Sequence, residues 1–209
     1  MKLRTTAIAL TIALASAAAH AQSGVYALFT AQEFHQDGIY ANPATDAGGN
    51  HGNIDSPFLK GASYGVYYDI SRIPNLFFIK GGPLKTGPVV IGIDGRGETL
   101  RLSEYGSTLN RQDGLISLRV ALKKPVFGTT PYVQGGFGIG HTKIPFATSY
   151  SNNLAYLFTI GVDRKICTHI DWRVVEAGAG FLGSYKVGNA ANGNNYLVNA
   201  SSGLVFRFN

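Results

Sequence analysis

Ten charged side chains, Asp69, Asp94, Arg96, Glu98, Arg119, Lys123, Asp171, Arg173, Glu176 and Arg207, form one constellation, and all but Glu176 fall by strict two-residue alternation on the side opposite the apolar residues. Carboxylates and guanidinium groups gathered on one face can neutralise one another as an ion-pair network, or they can line a path for ions. Charges withdrawn from water are costly unless paired, so the network is the reading adopted and the narrow ion path is the alternative.

Other chemistry has less support. The glycines of residues 135–140 do not make a phosphate cradle, because that chemistry needs a glycine turn opening a helix and these alternate within a strand-like segment. The histidines are His20, His35, His51, His141 and His169, and none has a partner at metal-ligand spacing. No metal site and no cofactor are expected. A lipid-modifying enzyme would need a serine, histidine and carboxylate set near an outer rim. His141 and Glu98 lie beside loop segments that contain serines, but nothing in their spacing selects them, so no catalytic residue is assigned. Cys167 is the sole cysteine, which rules out an intramolecular disulfide and suits a structural thiol.

The elements that must hold the charges are strands. The end of the chain, residues 196–209, alternates Val198, Ala200, Ser202, Leu204, Phe206 and Phe208 with Asn199, Ser201, Gly203, Val205, Arg207 and Asn209. Residues 115–124 set Ile116, Leu118, Val120 and Leu122 against Ser117, Arg119, Ala121 and Lys123. A soluble core would not normally receive so apolar a stripe backed by two cations. Similar segments occupy residues 24–34, whose facing the pattern leaves open, and 61–70, 88–98, 132–140, 154–163 and 170–178. In the last of these, strict alternation would aim Glu176 outward, so a β-bulge near Val175 is expected to return it to the charged face.

Eight strands with both ends on one side, joined alternately by short turns and by polar loops at 35–57, 100–112, 141–153 and 181–195, predict an all-β fold. The architecture is an eight-stranded antiparallel transmembrane β-barrel, apolar outside and polar within. A sheet in lipid must close, since unpaired backbone groups are too costly there. An edge strand of a soluble sandwich is the competing reading for the last segment. Residues 71–87, with an unalternating Leu76-Phe77-Phe78-Ile79, form either a wide hairpin or an added pair of strands, which would make ten.

Residues 1–21 read as a signal peptide: Lys2 and Arg4, an apolar run at 7–15, then Ala19-His20-Ala21 as a cleavage site. Export follows, with residues 22–209 as one domain. Loss of Lys2 and Arg4 takes the net charge from +6 to +4, and no basic run gathers it, so nucleic acid is not expected as a partner. Charged residues are only 14% and aromatics 11% of the chain, with 27 glycines, a balance suited to strands and turns.

Pro131-Tyr132-Val133-Gln134-Gly135-Gly136-Phe137-Gly138, then Gly161-Val162-Asp163 and His169-Ile170-Asp171-Trp172-Arg173-Val174-Val175-Glu176, resemble the outer-membrane β-barrel domain family. That family includes outer-membrane protein A-like small barrels. The resemblance implies a location in the bacterial outer membrane, outer-membrane lipid as surroundings and the barrel-assembly machinery as a partner. It also implies a non-enzymatic structural or surface role, with a surface ligand of unspecified kind and a narrow porin-like channel as the alternative. The family's C-terminal aromatic is here Phe208, followed by Asn209, and no peptidoglycan-binding domain follows, which argues against a cell-wall tether.

Overall fold

The computed structural model describes residues 22–36, 58–70, 89–104, 107–122, 124–143, 151–183, 186–187, 190–191 and 195–208. The signal segment, residues 71–87, Lys123 and the Asn192-Gly193-Asn194 stretch lie outside these.

Alternation in Val-, Tyr- and Phe-rich segments favours strands whose two faces meet different solvents. The strands are β1 (Gln22–Gln36), β2 (Phe58–Ile70), β3 (Val89–Glu104), β4 (Ser107–Leu122), β5 (Thr129–Lys143), β6 (Ser151–Lys165), β7 (Ile170–Leu182), β8 (Lys186–Val187), β9 (Ala190–Ala191) and β10 (Asn195–Phe208). Eight of them close a barrel in the order β1-β10-β7-β6-β5-β4-β3-β2, while β8 and β9 form a separate small ladder. Every neighbouring pair in the barrel is antiparallel. Each stave has two partners, so the ring offers no edge for a further pair, and the ten-strand and sandwich alternatives fall.

Ser23 pairs with Phe208, which puts both ends of the barrel chain at one rim, together with the β4–β5 and β6–β7 turns. The β4–β5 turn has Phe127 and Gly128 at its centre with φ of 52° and 75°, and Val126 and Thr129 exchange backbone hydrogen bonds across it. Positive φ at both central residues is the hairpin geometry that matches strand twist. Glycine takes it freely, whereas Phe127 does so against its steric preference.

Two of the polar loops are shorter than the sequence suggests. Residues 100–112 are almost wholly strand, since β3 runs to Glu104 and β4 begins at Ser107; the 141–153 segment is likewise eroded by β5 and β6 from either side. The alternation continues there with its polarity reversed. Leu100 and Leu109 face inward and are buried, while Thr99, Arg101 and Gln112 are exposed. Outside the apolar belt the wall faces water, so the inner surface there resembles an ordinary core. The 181–195 segment carries the β8–β9 ladder.

Facing in the belt follows the pattern. Leu118 is 58% exposed beside Arg119 at 1%, and Phe29, Ile116, Phe137, Phe158 and Ile160 also point outward. The open facing of β1 resolves with Tyr26, Leu28, Thr30 and Gln32 inward. A spin label at Leu118 is expected to report an apolar environment in a bilayer; a label there in free contact with water, with one at position 119 in lipid, would reverse the wall.

Candidate functional site: the barrel interior

The inward positions build two layers. Toward the rim that holds the termini lies an ion-pair network. Arg119 Nη1 donates to both oxygens of Asp69 at 2.7 and 2.9 Å, and its Nη2 lies 3.4 Å from Asp163. Arg173 Nε donates to Asp163 at 2.9 Å and Nη1 to Glu176 at 3.2 Å. Arg96 Nη2 lies 2.6 and 2.7 Å from the two oxygens of Glu176, while its Nη1 is 3.5 Å from Glu98. Glu176 also accepts from the Tyr132 hydroxyl and so joins three strands, β3, β5 and β7.

Hydroxyls extend the network. Tyr26 donates to Asp94 at 2.9 Å and accepts from Arg96 Nε at 3.1 Å. Ser63 donates to Glu98 at 3.0 Å and meets Thr30 at 2.6 Å, which in turn meets Ser201 at 2.9 Å. Arg119 is stacked between Tyr67 and Tyr132 at 4.4 and 4.5 Å, and Arg173 between Tyr132 and Tyr26 at 4.6 Å each. The rings cover the flat faces of the guanidinium groups while the carboxylates take their edges.

Of the ten charges singled out, Asp69, Asp94, Arg96, Glu98, Arg119, Arg173 and Glu176 come together in this network. Arg207 pairs with Asp171 at the rim, its side chain 18% exposed. Lys123 lies outside the described residues. Glu176 is buried because β7 carries a bulge. Arg173 pairs with Gly203 and Glu176 with Ser201, so Val174 and Val175 oppose Ser202 alone. The Ser202 hydroxyl donates to the Arg173 carbonyl at 3.1 Å and accepts from Trp172 Nε1 at 3.2 Å, serving the backbone where the ladder is interrupted.

Three charges escaped the sequence reading. Asp163 shares the face of Thr159 and Gly161, which alternation alone would have indicated. Arg111 sits in what the composition marks as loop, and its partner Asp113 falls between that loop and the next strand segment. Counting them, seven carboxylates and five guanidinium groups line the interior among the described residues.

Nearer the opposite rim leucines enter the interior, with the Arg111–Asp113 pair between Leu109 and Leu115 on the inward face of β4. Leu59, Leu100, Leu109, Leu115, Ala155, Leu157, Leu182 and Leu197 form one buried cluster inside the barrel. No alternation of apolar outside and polar inside would have found it. His141 is exposed on the outer surface and bonds Asn152, whereas Glu98 is buried in the network, so the wall separates the two residues that a rim catalytic set would need together.

No family model matches the chain, and no curated protein matches it in sequence. Solved structures do match in fold. The crystal structure of Neisserial surface protein A aligns with a TM-score of 0.58 at 12% identity, covering 89% of this chain and 97% of that one. The attachment invasion locus protein Ail of Yersinia pestis aligns at 0.49 and 12% identity, covering 90% and 99%. The eight-stranded fold is that of small outer-membrane barrels.

Proposed function

We propose that the protein is a non-enzymatic barrel of the bacterial outer membrane whose interior is a plug and whose working surface is the rim away from the termini. The observation that carries this reading is the layered interior. A paired, stacked ionic layer and a leucine layer lie one above the other inside a wall whose outer belt suits lipid. Paired charges fix a rigid interior, and an apolar constriction excludes ions by dewetting. Outer-membrane lipid is the surrounding partner, the barrel-assembly machinery the agent of insertion, and a surface ligand the occupant of the outer rim. The outward Phe206 and Phe208 at the end of β10 support recognition by that machinery.

Planar-bilayer recordings on the wild type are expected to show conductance near zero. A steady conductance would overturn the plug. Because carboxylates outnumber guanidinium groups inside, such a current would be cation-selective. An epitope inserted between Asn192 and Gly193, outside the described residues, is expected to be reached by antibody on intact cells. Labelling only after lysis would invert the orientation. Incubation with lipid A is expected to leave it unmodified.

A further inference from the structure

Between the ionic and leucine layers runs a row of side chains most of whose polar atoms lack a protein partner among the described residues. The row follows the register across five adjacent staves: Gln134 on β5 pairs with Thr159 on β6, Thr159 with Gly178 on β7, Gly178 with Asn199 on β10, and Asn199 with Gln32 on β1. All four side chains point inward, and each is 2% exposed or less. Both polar atoms of Gln32 and of Asn199, with Gln134 Oε1 and Thr159 Oγ1, have no protein partner among the described residues. Glycine at 178 is what lets the arc form, since a Cβ there would collide with the Asn199 oxygen and lie 2.6 Å from Thr159 Cγ2.

The rows on either side differ in kind. One step toward the termini, Tyr132, Glu176, Ser201 and Thr30 are bonded into the network. One step outward, Leu157 and Leu197 lean over Gly180, where a Cβ would lie 3.2 and 3.0 Å from their Cδ1 atoms. Buried polar groups in folded proteins find hydrogen-bond partners, and an interior site holds a guest when several donors and acceptors converge on it. The arc offers amide donors, amide oxygens and a hydroxyl, with no formal charge of its own.

We infer that the arc Gln32–Asn199–Thr159–Gln134 is an interior binding site for a small neutral hydrogen-bonding guest, floored by the ion pairs and roofed by leucines. Two sources supply that chemistry, water and a small polar solute such as glycerol. The charge network does not discriminate between them, but spectroscopy does.

The test uses the intact barrel in detergent micelles. The side-chain amide protons of Asn199 and Gln32 are expected to show through-space or exchange cross-peaks to water. Cross-peaks to glycerol protons in glycerol-containing buffer would assign the site to a solute. Either result supports a guest site, and amide protons silent to both would overturn it. A second measurement is the temperature at which the gel mobility of the folded barrel is lost. With a guest bound, Asn199→Leu removes bonded groups and lowers that temperature, whereas in a dry arc the same change relieves unpartnered groups. An unchanged or raised temperature would also overturn the inference.

Discussion

Arg173→Ala is expected to lower sharply the temperature at which the barrel loses its heat-modifiable gel mobility, while conductance stays near zero. The guanidinium bonds Asp163 and Glu176 and lies between the rings of Tyr26 and Tyr132, fully buried among them. Alanine leaves Glu176 to Arg96 and Tyr132 but reduces Asp163 to its 3.4 Å contact with Arg119, so Asp163 loses its closest counter-charge. Removing one member of a buried pair costs about 3–5 kcal/mol, because the stranded charge keeps its desolvation penalty without its partner. That is a large share of the roughly 5–15 kcal/mol that a folded domain commands. Conductance should not rise, since the leucine layer still lies across the interior. A variant as heat-resistant as the wild type, with an altered ion selectivity, would mean that the charges line a path instead of bracing a plug.

The sequence made the belt legible and the outer part of the barrel illegible for one physical reason. Within the membrane the wall has lipid outside and polar groups inside, so Leu118 beside Arg119 announces itself. Past the belt, water replaces lipid, and the same two-residue period then carries Leu100 and Leu109 inward and Arg101 outward. Judged by the belt's rule such a segment reads as a polar loop, and Arg111 with Asp113 was lost along with it. Asp163 was legible by face but stood at a strand end, where alternation normally lapses. The tyrosine-arginine stack was not legible at all. Tyr26, Tyr67 and Tyr132 are 41 to 106 positions apart and meet only because the barrel closes β1 onto β10 and β2. The unpartnered arc depends on closure in the same way, since Gln32 reaches Asn199 only across the β1–β10 seam.

Glu176 is where a local irregularity could be inferred from chemistry, and single-residue deletions test that inference. In β7 the residues after Arg173 are Val174, Val175 and Glu176, and both valines oppose Ser202. Deleting Val174 therefore joins Arg173 to Val175 in a regular ladder, with Glu176 still facing inward and still beside Arg96. Folding is expected to survive, with a cost of about 1–2 kcal/mol for the rearranged hydrogen bonds at Ser202 and Trp172. Ile160 in β6 sits in an unbroken alternation, between inward Thr159 and Gly161. Deleting it turns every later residue of that strand to the other face, because the side-chain period is two. Asp163 would then leave Arg119 and Arg173 for the outer surface, and Val162 would enter the ionic layer. Losing the carboxylate that both guanidinium groups share costs about 3–5 kcal/mol, and the wrong facing of every later side chain in the strand adds to it, against the roughly 5–15 kcal/mol of a whole domain. No heat-modifiable form of that variant is expected, although the two deletions remove residues of the same apolar, β-branched kind. A folded band from the Ile160 deletion, or its loss from the Val174 deletion, would refute the facing assigned to β6 and β7.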